Sequence, residues 1–200
     1  MRIIGGRLKG RALKAPRRVA PSRGALSQGS EGDLRPTADR ARESIFNVLA
    51  HGIEGWVIEG ATVADVFAGT GALGLEALSR GAGYAVFIDN NSAALACVRK
   101  NAGPLGLARR VTLLKIDAQR LSPPPLAAKA PCGMVFLDPP YDSGLAPVAL
   151  SGLAAKGWIA PGAVAVAEVA AKEVLEPPRD FEIINERTYG AARVVFLRYG

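Results

Sequence analysis

The stretch from Thr62 to Asp89 constrains the fold more than any other part of the chain. Thr62 to Phe67 is an apolar run of strand length, Leu73 to Arg80 has helical spacing with Leu75 and Leu78 on one face, and Tyr84 to Ile88 is a second apolar run. Between the first run and the helix lies Asp65-Val66-Phe67-Ala68-Gly69-Thr70-Gly71-Ala72-Leu73-Gly74. Its glycines let the backbone turn sharply and approach a ligand closely. Strand, glycine loop, helix and strand in that order make one parallel unit. An α/β fold that binds its ligand at the carboxyl ends of the strands is therefore expected.

Gly69, Gly71 and Gly74 spell GxGxxG, and Asp89 follows Gly69 by twenty residues. That is the spacing at which an acid holds a ribose hydroxyl. Adenosine-containing cofactors share this contact, so Asp89 leaves NAD and S-adenosylmethionine both open. Asp65 helps to weigh them. A carboxylate four residues before the glycines suits a cofactor with a cationic amine and sulfonium, and repels a pyrophosphate.

The rest of the body alternates in the same way. Thr37 is placed as an N-cap, with Asp39 in the first turn of a helix reaching about Ala50. Ala41, Ile45, Val48 and Leu49 fall on one face of that helix; Asp39, Arg42, Glu43 and Asn47 fall on the other. His51, at its end, reads as a cap. A helix from Ser92 to Gly103 precedes a strand, Val111 to Ile116, that ends at Asp117-Ala118. Asp117 is a candidate acceptor for an adenine amine. A helix from Leu145 to Ala155 precedes a strand from Ala163 to Val169. Phe181 to Ile184 and Arg193 to Tyr199, joined through Thr188-Tyr189-Gly190, read as an antiparallel hairpin on the sheet edge. Asp65, Asp89, Asp117 and Asp138 thus all end strands, on one edge of one sheet.

Asp138-Pro139-Pro140-Tyr141 closes the apolar run Met134 to Leu137. Each proline fixes its own φ and holds the preceding residue extended. The Asp138 carboxylate and the Asp138 and Pro139 carbonyls become rigid acceptors beside a flat ring. Acceptors that hold a planar amine, next to a ring that stacks on a base, are what methylation of an exocyclic base nitrogen requires. Asp-Pro and Pro-Pro are also ordinary turn formers, so the tetrapeptide draws its meaning from the glycine loop and the other acids.

Residues 1–23 carry Arg2, Arg7, Lys9, Arg11, Lys14, Arg17, Arg18 and Arg23 and no acid, whereas the whole chain has a net charge of only +7. The body is nearly neutral, and the basic character lies in one N-terminal arm that suits a phosphate backbone. Ile3-Ile4, Gly5-Gly6 and Leu8 suggest a short hairpin there, and the Ser- and Gly-rich Pro21 to Asp33 a flexible loop. Deleting the arm is expected to leave a folded body. Two hundred residues, 49% of them apolar, suffice for one main core. Cys97 and Cys132 lack metal-ligand spacing and read as buried free thiols. No metal is expected. No apolar run is long enough to span a membrane, and a cytoplasmic protein is expected.

The chain resembles the RsmD family of bacterial methyltransferases over nearly its whole length. The resemblance rests on Arg2-Ile3-Ile4-Gly5-Gly6, Leu34-Arg35-Pro36-Thr37, Asp39 to Asn47, Phe67 to Arg80, and Asp138-Pro139-Pro140-Tyr141. Residues 17–33 look like an insertion relative to shorter members. The resemblance implies a Rossmann-like class I methyltransferase sheet with a small N-terminal β-hairpin extension, residues 1–34, before a domain at 35–200. It implies S-adenosylmethionine as cofactor and a guanine N2 of 16S ribosomal RNA as methyl acceptor, the RNA free or within an assembling small subunit, and a monomeric enzyme. The motifs and the resemblance together assign catalysis to Asp138, Pro139, Pro140 and Tyr141. Cofactor contacts fall on Asp65, Phe67, Ala68, Gly69, Thr70, Gly71, Gly74, Asp89, Asn90, Asp117, Ala118 and Asp138. RNA contacts fall on Arg2, Arg7, Arg11, Arg35, Thr37, Arg42 and Tyr141. An adenine-N6 methyltransferase is the nearest alternative, because the proline platform serves either amine. An NAD-linked oxidoreductase and a purely RNA-binding module are more distant ones.

Overall fold

The computed structural model describes residues 1–15 and 36–200. Arg35, the expected loop from Pro21 to Asp33, the insertion at 17–33 and the boundary at 34/35 lie outside the described residues.

Seven strands form one sheet in the order β3-β2-β1-β4-β5-β7-β6. They are β1 (Thr62–Val66), β2 (Tyr84–Asp89), β3 (Val111–Lys115), β4 (Cys132–Leu137), β5 (Ile159–Ala170), β6 (Phe181–Tyr189) and β7 (Ala192–Tyr199). The pairs among β1 to β5 are parallel, and β7 runs antiparallel between β5 and β6. The order reverses between β1 and β4, which opens a crevice above their carboxyl ends. Among the described residues, four α-helices cover the faces: α1 (Pro36–His51), α2 (Ala72–Ser79), α3 (Ser92–Ala102) and α4 (Leu145–Ala155). Successive residues of β1, β2 and β7 alternate between the two faces. Val63 of β1 joins the core beneath α1, α2 and α3, while Ala64 and Val66 join the core beneath α4.

Two strands exceed their expected lengths. β6 continues from Ile184 to Tyr189 through a polar stretch, because an edge strand pairs by its backbone and needs no apolar face. β5 begins at Ile159 and runs through Pro161-Gly162, where its register against β4 shifts. β3 is shorter than expected, ending at Lys115, so Asp117 lies in the loop beyond it. α1 begins at Pro36, whose fixed φ suits the first helical position, so Thr37 lies inside the helix and is not its cap.

The arm is not a tail. Arg2 bridges Ala12 in antiparallel fashion, and Ile3 and Leu13 are buried in the core beneath α1 and α2. Glu76 of α2, fully buried, accepts the backbone N–H groups of Ile4 at 2.8 Å and Gly5 at 2.7 Å, and pairs with Arg80 at 2.7 Å. Ser79 accepts the Leu8 N–H and donates to the Gly5 carbonyl. Asn101 of α3 brackets Lys14 on both its backbone groups. Gly6 adopts φ +71°, and a Cβ there would meet the Ser79 carbonyl oxygen at 2.0 Å. Its glycine is therefore required twice, by conformation and by contact. This packing argues against the expectation that residues 1–23 can be deleted without disturbing the body.

Candidate active site

The glycine loop is fixed from two sides. Asp89 accepts the Gly69 N–H through Oδ2 at 3.0 Å and the Asn91 N–H through Oδ1 at 2.8 Å, which ties the loop to the end of β2. Asp65, on β1, accepts the Gly74 N–H at 2.9 Å. A Cβ on Gly74 would lie 2.5 Å from the Phe87 ring, so the helix can approach the sheet this closely only without one. Between these anchors Phe67 holds a left-handed backbone, φ 63°, unusual for a bulky residue and found where a site over-determines the chain.

Two clefts meet at Phe67, Asp138 and Tyr141. One, about 550 Å³, runs over Asp89, Asn90, Asp117, Pro139, Pro140 and Leu145. The other, about 420 Å³, is lined by Asp65, Ala68, Gly69, Thr70 and Glu168, with α1 on one wall and Tyr189 on the other. A hydrogen bond between Ser44 of α1 and the Tyr189 hydroxyl joins those walls. Gly71 and Gly74 line neither cleft; they shape the loop. Ala118 sits in the core beside the first cleft, with its backbone following Asp117.

The electrostatics are distinctive. Asp65 is buried, and loss of solvation raises its pKa to about 8, against the Gly74 N–H and with help from the negative charge of Asp138 and Asp89. Asp138 keeps an open face to solvent, yet protein atoms crowd its carboxyl. Desolvation first, and then the charge of Glu168, push its pKa up to about 7. A cation bound in a cleft holding Asp65, Asp138 and Glu168 would draw these carboxyls toward their ionised forms, whereas a pyrophosphate would be disfavoured. Among the described residues, no group of three or more His, Cys, Asp or Glu is arranged to hold a metal ion.

These carboxyls set the pH dependence of stability. Between about pH 4 and pH 7 the folded protein holds protons on Asp65 and Asp138 that the unfolded chain has released, and Asp65 keeps its own to about pH 8. The folded state therefore binds more protons, and this contribution to stability is lost as pH rises through the window. Thermal unfolding of the ligand-free protein should show a melting temperature that declines from mildly acidic toward pH 8. Asp65→Asn should flatten the decline.

Arg42 is placed differently from its expected role. It is 6% exposed and lines the cleft, donating from Nη2 to Asp39 at 2.6 Å and to the Arg2 carbonyl at 3.1 Å. Its Nε is buried with no hydrogen-bond partner among the described residues, and desolvation lowers its pKa. Packing of the arm over α1 buries a side chain that helical periodicity assigns to the outer face. Glu168 and Tyr189 were not among the expected site residues. Glu168 was detectable as the one charge in the apolar run Ala163 to Val169. Arg2, Arg7 and Arg11 stand exposed on the docked arm.

A sheet of this order, with a glycine loop after its first strand and acids along its carboxyl edge, defines a class I methyltransferase, whose cofactor is S-adenosylmethionine. The donor set fits that cofactor: Asp89 and Asp117 have oxygens for hydroxyl and amine groups, Pro139 and Leu145 offer apolar surface, and the second cleft is acidic. Residues 1–198 match the family described as conserved hypothetical protein 95. Ribosomal RNA small subunit methyltransferase D of Escherichia coli K12 is 36% identical over 192 residues, covering 95% of this chain and 85% of that protein. Its namesake from Haemophilus influenzae is 32% identical over 191 residues, covering 95% and 89%. The solved structure of yhhF from Escherichia coli superposes with a TM-score of 0.77 at 32% identity, covering 100% of this chain and 97% of that one. The chain belongs to this family, the RsmD methyltransferases.

Proposed function

We propose that the protein methylates the N2 amine of a guanine in small-subunit ribosomal RNA. The observation that carries the reading is the rigid Asp138-Pro139-Pro140-Tyr141 platform at the junction of the two clefts. The names of the relatives support the RNA as target.

S-adenosylmethionine, when bound, supplies an electrophilic methyl on a positively charged sulfur. The protein's own part is to hold and aim the amine. Asp89 and Asp117 would hold the ribose and adenine side of the cofactor, and Asp65 would serve its cationic end. The guanine N2 is a poor nucleophile because its lone pair is delocalised into the ring. Asp138 and the Pro139 carbonyl accept its two hydrogens, which makes the nitrogen more pyramidal and frees the lone pair. As the new N–C bond forms, one amine proton leaves to the Asp138 carboxylate. A pKa near 7 leaves that group able both to accept the proton and to release it to water. Tyr141 stacks on the base once it has left its helix or loop, a contact worth about 1–3 kcal/mol.

The exposed cations of the arm guide the RNA backbone. A trough of about 750 Å³ between arm and α1 carries Arg2, Lys9 and Arg40 beside the acids Asp39 and Glu43, and shares Met1 with the acidic cleft. Replacing Arg7, Lys9 and Arg11 together by Ala should leave the fold intact, since all three side chains are exposed. If each neutralises one phosphate of single-stranded RNA, the slope of log affinity against log salt should flatten by roughly 2 units. An unchanged slope would remove the arm from the RNA footprint.

The function itself is tested by methyl incorporation. Labelled methyl should pass from S-adenosylmethionine into unmethylated small-subunit RNA or particles, and not into large-subunit RNA or duplex DNA. Incorporation into DNA alone would refute the proposal.

A further inference from the structure

Asp138 and Pro139 do not choose between bases, because two acceptors satisfy any exocyclic amine. Glu168 supplies what they lack. It lies on β5, held between β4 and β7 and paired with Val194, so its position is set by the middle of the sheet. Its side chain lines the same cleft as Asp138 and Tyr141. The Tyr141 hydroxyl donates to Glu168 Oε1 at 2.8 Å, which orients the carboxylate against the stacking ring. Oε2 carries no hydrogen bond to any described residue. The two carboxyls are close enough for the charge of Glu168 to act on Asp138.

Base edges differ at the atom beside the amine. Guanine presents N1–H next to its N2 amine, two donors side by side. Adenine and cytosine present a bare ring-nitrogen lone pair next to theirs. A carboxylate facing that atom attracts the guanine edge and repels the other two. We propose that Glu168 selects guanine, its Oε2 accepting the N1–H of the base whose N2 lies on Asp138. The inference rests on the methyl-transfer reading above and adds the residue that gives that reading its base.

The test uses 2-aminopurine, which keeps the 2-amine, lacks O6 and replaces N1–H by a lone pair. Wild-type protein and Glu168→Gln are compared on RNA or particles, in whichever form the wild type methylates. The methylated position carries either guanine or 2-aminopurine. The wild type should prefer guanine by roughly 100-fold or more in kcat/KM, as sites built around a substrate N–H reject analogues lacking it. The Gln variant can turn its amide N–H toward the bare nitrogen. Its turnover of 2-aminopurine should rise and the preference should fall to within about tenfold. A preference that survives in the variant overturns the proposal. So does an equal loss on both substrates, which marks a merely structural role. If the wild type methylates adenine, the guanine reading and this inference fall together.

Discussion

Asp138→Ala should nearly abolish methyl transfer while leaving affinity for S-adenosylhomocysteine within a few-fold of wild type. The rate loss expected for removing a positioned proton acceptor is about 10²–10⁴-fold, and misplacement of the amine adds to it. The same variant should not be less stable. No side-chain hydrogen bond from Asp138 to a described residue is lost, and its backbone N–H, which reaches the Val66 carbonyl at 3.4 Å, is retained. Because the fold holds the Asp138 pKa up at about 7, the ionised carboxylate opposes folding above that pH, and its removal should raise the melting temperature slightly at pH 8. Loss of activity with a gain in stability separates a catalytic group from a structural one. Single-turnover methyl transfer, calorimetry with S-adenosylhomocysteine and thermal melts read the three quantities. Tyr141→Phe should be mild by comparison, since the ring is retained.

Deleting residues 1–14 should unfold the protein. The deletion removes Ile3, fully buried, and Leu13, and strips Glu76 of both backbone donors. Hydrogen bonds to a charged group are worth about 1.5–3 kcal/mol each, and a large apolar side chain lost from a core costs about 2–5 kcal/mol. Together these approach the whole stability of an ordinary domain, about 5–15 kcal/mol. Ile3→Ala isolates one part of the effect and should lower the melting temperature by roughly 4–20 °C. A truncated protein that melts cooperatively near the wild-type temperature would show that the arm merely rests on α2. This result would also restore the simpler view of the arm as a detachable RNA clamp.

The fold was legible wherever local pattern and tertiary placement agree. α4 runs from Leu145 to Ala155, the limits its periodicity gives, and Asp65, Asp89, Asp117 and Asp138 do lie along the carboxyl edge. Both cysteines are free and buried, and burial pushes the Cys132 thiol up to about 12, which makes it inert. The sequence was silent where a distant segment decides the environment. Glu76 looks like a solvated helix residue until the arm covers it, and Arg42 like a surface cation until the Arg2 carbonyl meets it. Glu168 is one acid in an apolar strand, and only the fold brings it beside Tyr141. Period and propensity describe a residue's own element; the burial of a charge is set by its partners, here 40 to 72 residues away along the chain.

The central claim is that the proline platform and its acids direct a methyl group to the N2 of guanine. Small-subunit RNA methylated by the protein with labelled S-adenosylmethionine can be digested to nucleosides and resolved by mass spectrometry against authentic standards. The account predicts label in N2-methylguanosine, absent when Asp138→Ala replaces the wild type. Label in N6-methyladenosine, or label in N2-methylguanosine undiminished by that substitution, would contradict it.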